Sequence, residues 1–222
     1  MKYLSWNETA ITDFSSEKIG EMYENGYVFT RIGRGIMQQT RSVRINLDKF
    51  ELSSENRRIL KKVINLRLES IKLPLKDYNY TIPKMAKDFY DKKFGHGIMS
   101  AQKIKEMLTD PNKSNFNRLL MFTPETSLLE IGHASYAICF AAPRFLHYSY
   151  PFYDLNNSSK DIGLGMMVMT IQHAKEFGLK YIYLGSLQRP TDIYKLQFSG
   201  LEWFDGKNWS TDIEQIKSIL LC

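Results

Sequence analysis

Residues 160–185, KDIGLGMMVMTIQHAKEFGLKYIYLG, decide how this chain folds. The apolar run from Ile162 onward predicts a helix that Gly178 ends, because glycine accepts the left-handed conformation that closes helices. KYIYLG then carries the aromatic and branched residues of a strand. Just upstream, residues 144–153, RFLHYSYPFY, have the same strand character. Together they predict a strand-helix-strand crossover near the C-terminal end.

Working outward, NRLLMFT (117–123), LLEIGHASYAICFAA (128–142) and RFLHYSYPFY form a block of three antiparallel strands. Turn signals lie between Pro124 and Ser127 and at Ala142-Pro143. Helices are predicted over SSEKIGEMYENG (15–26), IPKMAKDFYDKKFG (82–95), SAQKIKEML (100–108) and DIEQIKSILL (212–221). YVFTRI (27–32) reads as a strand and GRGIMQQT (33–40) as an interruption. In RSVRINL (41–47), Val43, Ile45 and Leu47 alternate with Arg44 and Asn46, the pattern of a half-buried strand. SSENRR (53–58) follows, where Ser53 can cap a helix continued by Ile59, Leu60, Val63, Ile64 and Leu68. IYKLQFSGLEWFDGKNW (193–209) reads as a hairpin turning at Asp205-Gly206. The expected class is α+β, a mixed and mostly antiparallel sheet flanked by helices, in the element order of a GNAT-like acyltransferase.

The chain has 222 residues, enough for one substantial core. Thirty Lys and Arg against 24 Asp and Glu give +6, a balance that favours phosphate-bearing partners. Cys139 and Cys222 are too far apart in sequence for a CxxC site, and a reducing, cytoplasmic setting is expected. The first residues lack a secretory pattern, and YAICFAA and GLGMMVMTI fall short of the roughly 20 apolar residues of a membrane span.

Several residues invite chemistry. Gly163 and Gly165 open a helix behind Lys160, where backbone N–H groups can approach an anion; a tight turn is the plain alternative. The histidines, His96, His133, His147 and His173, have no metal-ligand spacing, so no metal is expected, and His133 reads as a core residue. No G-x-S-x-G elbow is present, and Cys139 sits in an apolar strand, so a covalent intermediate is not expected. Tyrosines crowd HYSYPFYDL, KYIYLG and IYK; most fill a core, and the remainder can line a cleft.

RINLDKFELSSENRR, from Arg44 to Arg58, resembles the R-[VI]-x-V-x-x-F-x-x-S-x-x-x-R-R segment of the aminoacyl-tRNA protein transferases, the arginyl- and leucyl-transferases of the N-degron pathway. MYENGYVFTR is similar to that family's L-x-x-x-G-[FY]-R-R, and YPFYDL to its Y-Y-D-P. The 162–185 stretch is similar to S-L-G, a helix and Y-[IL]-Y-L-G, and DIYKLQFSGLEWFDGKNW to M-x-Y-K-x-x-F-x-P-x-E with an acidic-Gly-x-W ending. The matched blocks fall in the family's order.

The resemblance implies a transferase domain over residues 51–222 behind a reduced N-terminal segment, 1–50. Its reaction would move an aminoacyl group, arginine or leucine, from charged tRNA to the α-amine of a protein with N-terminal Asp or Glu. Asp154, Tyr153 and Tyr194 would be catalytic. Arg57, Arg58, Lys195 and Arg44 would bind substrate anions, although Lys195 can also be read as solvated. Lys160, Gly163, Gly165, Tyr183 and Gly185 would form the donor loop. No cofactor beyond the tRNA co-substrate is implied, no membrane partner, and a monomer is expected. Where the family has a cysteine cluster, before Arg44, this chain reads GRGIMQQTRSV, and the Ser of S-L-G is Gly163. KDIGLG also suits a GNAT N-acetyltransferase that uses acetyl-CoA, and a non-catalytic tRNA- or degron-binding module is the third alternative.

Overall fold

The computed structural model describes residues 3–125, 134–156 and 160–221. Eleven strands are defined among them: β1 (Asn7–Ala10), β2 (Tyr27–Phe29), β3 (Ile36–Gln39), β4 (Ser42–Asn46), β5 (Leu66–Lys72), β6 (Arg118–Pro124), β7 (Ser135–Ala142), β8 (Phe145–Phe152), β9 (Tyr181–Ser186), β10 (Leu201–Phe204) and β11 (Trp209–Ser210). The helices are α1 (Ser16–Glu24), α2 (Ser54–Lys62), α3 (Thr81–Phe94), α4 (Ala101–Thr109), α5 (Ile162–Glu176) and α6 (Ile213–Leu221), with 3₁₀ turns at Leu47–Lys49 and Pro190–Gln197. His133, Cys222 and the turn before Ser127 lie outside the described residues.

Contacts group the chain into two compact units, one of residues 1–54, 142–147 and 173–222, the other of 55–141 and 148–172. In the first, hydrogen-bonded strands run in the order β11-β10-β4-β9-β8, beside a three-stranded sheet ordered β1-β3-β2. β8 enters through Phe145–His147, which pair in parallel with Tyr181–Tyr183 of β9. The second unit continues from the rest of β8 through β7, β6 and β5. α5 makes the crossover from β8 to β9. The other pairings with defined register are antiparallel. The class is therefore mixed α+β with a mostly antiparallel sheet, and the crossover predicted from residues 144–185 is its parallel step.

Local chemistry sets the helix ends. The Ser15 hydroxyl accepts from Lys18 N at 3.2 Å to start α1, and Ser100 does the same for α4 from Lys103 N at 3.1 Å. Gly178, at φ 70°, ends α5 as its sequence predicts. The core of the first unit includes Tyr23, Met37, Val43, Ile45 and Trp203; that of the second includes Ile59, Phe122, Tyr136, Ile138 and Phe152.

The structure corrects several expectations. GRGIMQQT is no interruption, because Ile36–Gln39 form β3 and pair with β1 and β2. α2 ends at Lys62, and Leu68 lies in β5, paired with Phe122 of β6. The apolar spacing from Ile59 to Leu68 thus spans two elements, a helix and an edge strand, that share no common period. β4 is not half-buried: Arg44, on its supposed open face, is only 4% exposed. IYKLQFSG is not a strand of the hairpin but a 3₁₀ turn ahead of β10 and β11. In the described residues, no helix is long and apolar enough to cross a membrane.

Candidate functional site

In the second unit, three of the motifs read from the sequence meet at the start of α5. Tyr153 follows β8, and its hydroxyl oxygen lies 3.0 Å from where a Cβ on Gly163 would stand. Gly163 is not in a left-handed conformation, so it is the space beside Tyr153 that a side chain would contest. Gly165 is tighter: its Cβ would sit 2.5 Å from Val63 Cγ1, so the residue that follows α2 packs against α5 through the missing side chain. This is a packing duty, and Val63 comes from the segment that SSENRR opens.

Charges gather at the same place. Lys62 of α2 forms an ion pair with Asp161, and Gly165 N donates to the Asp161 carbonyl at 2.8 Å. The Lys62 hydrogen bond is the main reason that the Asp161 carboxyl lies below its ordinary range, with Arg58 and Lys160 adding their charge. Arg58 donates from Nε to Glu55 at 2.7 Å, an i,i+3 pair inside its own first turn. Its guanidinium is consequently held above the ordinary arginine value, chiefly by that bond. Arg57 and Lys160 are exposed. Helix-end electrostatics disfavour cations at an N-terminus, and Glu55 offsets that cost for Arg58.

Tyr153 and Asp154 also line an open cavity of about 250 Å³, closed on its other side by the α3 face that carries Lys84, Asp88, Phe89 and Lys92. The Phe89 and Tyr153 rings lie 4.8 Å apart. Asp154 Oδ1 accepts from Asn156 N at 2.8 Å, an Asx turn that fixes the carboxylate. Burial raises the Tyr153 phenol above its ordinary value, so near neutral pH it is an O–H donor and no phenolate.

The remaining expected residues belong to the first unit. Arg44 stands opposite Glu202 on β10 and Tyr183 on β9. Its guanidinium donates to Glu202 at 2.7 Å, to Glu24 at 2.7 Å and to the Tyr183 hydroxyl at 3.2 Å. The Tyr181 and Trp209 rings each lie 3.9 Å from its Cζ. Burial opposes this charge, but Tyr183, Glu24 and Glu202 outweigh it and hold Arg44 protonated. Lys195 is not solvated: it is 9% exposed and donates to the Ser186 carbonyl at 2.9 Å. Burial lowers its pKa to about 8. Gly185 adopts φ 78° on the same strand end, and Tyr194 is 43% exposed.

Sequence reasoning overlooked Lys62, Asp161, Lys84, Asp88 and Lys92. The last three were legible, since positions 84, 88 and 92 follow the i, i+4, i+8 spacing of one helix face. Glu24, Glu202 and Trp209, the partners of Arg44, are far apart in sequence and carried no such signal.

No family model matches the sequence, and no curated protein matches it. Among solved structures, the chain aligns with the C-terminal domain of a protein described as lysylphosphatidylglycerol synthetase from Agrobacterium fabrum. The identity is 12% and the TM-score 0.46, over 80% of this chain and 54% of that one. L-PGS from Bacillus licheniformis aligns at 12% identity and TM-score 0.47, over 92% of this chain and 70% of that one. FemX aligns at 10% identity and TM-score 0.46, over 82% and 62%. The chain thus spans about half the length of the first of these structures.

Proposed function

We propose that this chain is a transferase that moves an amino acid from charged tRNA to the α-amine of a protein whose first residue is acidic. Arginine or leucine is the amino acid that the sequence resemblance favours. The observation that carries the proposal is the meeting of YPFYDL, KDIGLG and the α2 helix of SSENRR in one unit, where Tyr153 abuts Gly163 and Lys62 holds Asp161. YPFYDL, the IGLG of KDIGLG and SSENRR each resemble a segment of that one family, and their proximity in one unit supports the reading.

The chemistry asks little of the protein. An aminoacyl ester is already activated, so orientation of the amine and stabilisation of the oxyanion supply most of the catalysis. Asp154 orients the acceptor and takes a proton from its ammonium. The free amine attacks the ester carbonyl carbon, forming the C–N bond, and the Tyr153 hydroxyl donates to the resulting oxyanion. Collapse breaks the ester C–O bond, and the terminal ribose oxygen of the tRNA leaves with the proton that the attacking nitrogen gives up as it becomes the amide. Arg57, Arg58 and Lys160 supply positive charge for tRNA phosphates. Tyr194 offers an exposed ring for a base to stack on.

The test is a choice of donor. Purified protein is incubated with peptides beginning Asp, Glu or Ala, and with either a mixture of charged tRNAs or acetyl-CoA. Product with charged tRNA and an acidic peptide is expected; product with acetyl-CoA alone makes the chain an N-acetyltransferase. Tight tRNA binding without product from either donor makes it a binding module.

A further inference from the structure

We propose that the cavity between α3 and residues 153–156 reads the first residue of the acceptor, with Lys92 and Lys84 taking its side-chain carboxylate and Asp154 its α-ammonium. The assignment of the pocket to an acceptor rests on the transferase reading above, but peptide binding to it can be measured without any donor.

The lining has the chemistry of a zwitterionic end group. Lys84, Asp88, Phe89 and Lys92 share one face of α3 at helical spacing, and they face Tyr153 and Asp154 across the cavity. The charges are therefore mixed, two ammonium groups and two carboxylates, over a floor made by the Phe89 and Tyr153 rings. A nucleotide phosphate would meet Asp88 and Asp154 at close range, whereas an acidic residue with a free amine presents one charge of each sign. The cavity is small, about 250 Å³ against the roughly 300–1,000 Å³ of small-molecule sites, which suits a single terminal residue better than a nucleotide.

The two lysines are not equivalent. Lys84 is already paired with Asp88 at 3.1 Å, so its charge is largely offset. Lys92 donates to the neutral Asn156 side chain at 3.1 Å, a bond that positions the ammonium without cancelling it. Lys92 is thus the principal reader of the acid and Lys84 the secondary one. Asn156 is also the residue whose backbone N–H fixes Asp154, so one short turn sets both ends of the pocket.

The experiment is calorimetric titration of the whole protein with short peptides beginning Asp, Glu, Ala or Lys, and with N-acetyl-Asp, in the absence of tRNA. Wild type is expected to bind the Asp and Glu peptides about tenfold or more tighter than the Ala peptide, the size of one charge-assisted hydrogen bond. Acetylation of the amine is expected to cost a similar factor. Lys92→Ala should bring Asp and Ala peptides to within about threefold of each other. Lys92→Glu should shift the preference toward the Lys peptide. Because Lys92 is exposed, unchanged melting curves are expected to accompany these shifts. The proposal is overturned if wild type shows no acidic preference, or if Lys92→Glu and Lys84→Glu both leave that preference intact. If the preference behaves as expected but no donor yields product, the pocket stands and the transferase reading fails. If charged tRNA modifies acidic peptides equally well with Lys92→Glu, the reverse holds.

Discussion

The Tyr153 hydroxyl lies 3.0 Å from the position a Cβ on Gly163 would occupy, so the residue after β8 and the first glycine of α5 are locked in contact. A methyl at 163 has to displace the ring by a few tenths of an ångström. Gly163→Ala is therefore expected to keep the fold and its melting temperature while lowering kcat, because a misplaced donor stabilises the oxyanion less well. Tyr153→Phe removes the donor outright, and a loss of about 100-fold in kcat is expected. Steady-state kinetics on both variants check this; unchanged kcat in Tyr153→Phe removes the tyrosine from the chemistry.

Gly165 should respond differently. Its added Cβ would stand 2.5 Å from Val63 Cγ1, a branched side chain with little freedom to retreat. Gly165→Ala is expected to destabilise by about 1–3 kcal/mol through overpacking, and Val63→Ala in the same chain should return part of that loss. Denaturant unfolding of the single and double variants measures it, and additive losses would mean the two sites are not in contact.

Arg44 predicts a stability effect in the other unit. Replacing it with alanine strands Glu202, whose side chain is only 12% exposed, and removes the cation between Tyr181 and Trp209. A loss of about 3–5 kcal/mol is expected, as for breaking other buried pairs. Arg44→Met together with Glu202→Leu should recover much of it. A drop in transfer without a drop in melting temperature would instead give Arg44 a direct part in binding.

His147 sets a pH dependence. It is buried, shares a 2.8 Å hydrogen bond with the Tyr23 hydroxyl, and burial lowers its pKa to about 3, with the Lys195 charge adding to the effect. The unfolded chain takes up this proton below about pH 6.5, while the folded one refuses it until about pH 3. Stability is thus fully present above pH 6.5 and falls as the pH drops, by about 1.4 kcal/mol per unit. Between pH 6.5 and 4 wild type should lose about 3 kcal/mol more than His147→Asn. Parallel unfolding curves at the two pH values would show that His147 does not govern acid stability.

The sequence disclosed elements more readily than environments. Helices marked by a hydroxyl cap, α1 and α4, or by a closing glycine, α1 and α5, were legible because capping is local chemistry. β1, β3 and β5 were not, since an edge or a small sheet lets polar residues such as Gln38 and Glu69 occupy strand positions without a burial pattern. Arg44 shows the limit most clearly. Its alternation with Val43 and Ile45 predicts an open face, and only partners some 20 and 158 residues away, Glu24 and Glu202, close that face. At the candidate site the motifs identified Tyr153, Asp154 and Gly163, while the α3 lysines escaped notice because they form a wall and belong to no motif.

The most direct test of the central assignment follows one aminoacyl group. With radiolabelled aminoacyl-tRNA as donor, label lost from tRNA is expected to appear stoichiometrically on an Asp-initiated peptide, as a mass gain of one amino-acid residue at its α-amine. The N-acetylated peptide should receive none. Hydrolysis of the ester without labelled peptide, or equal labelling of the N-acetylated peptide, would contradict it.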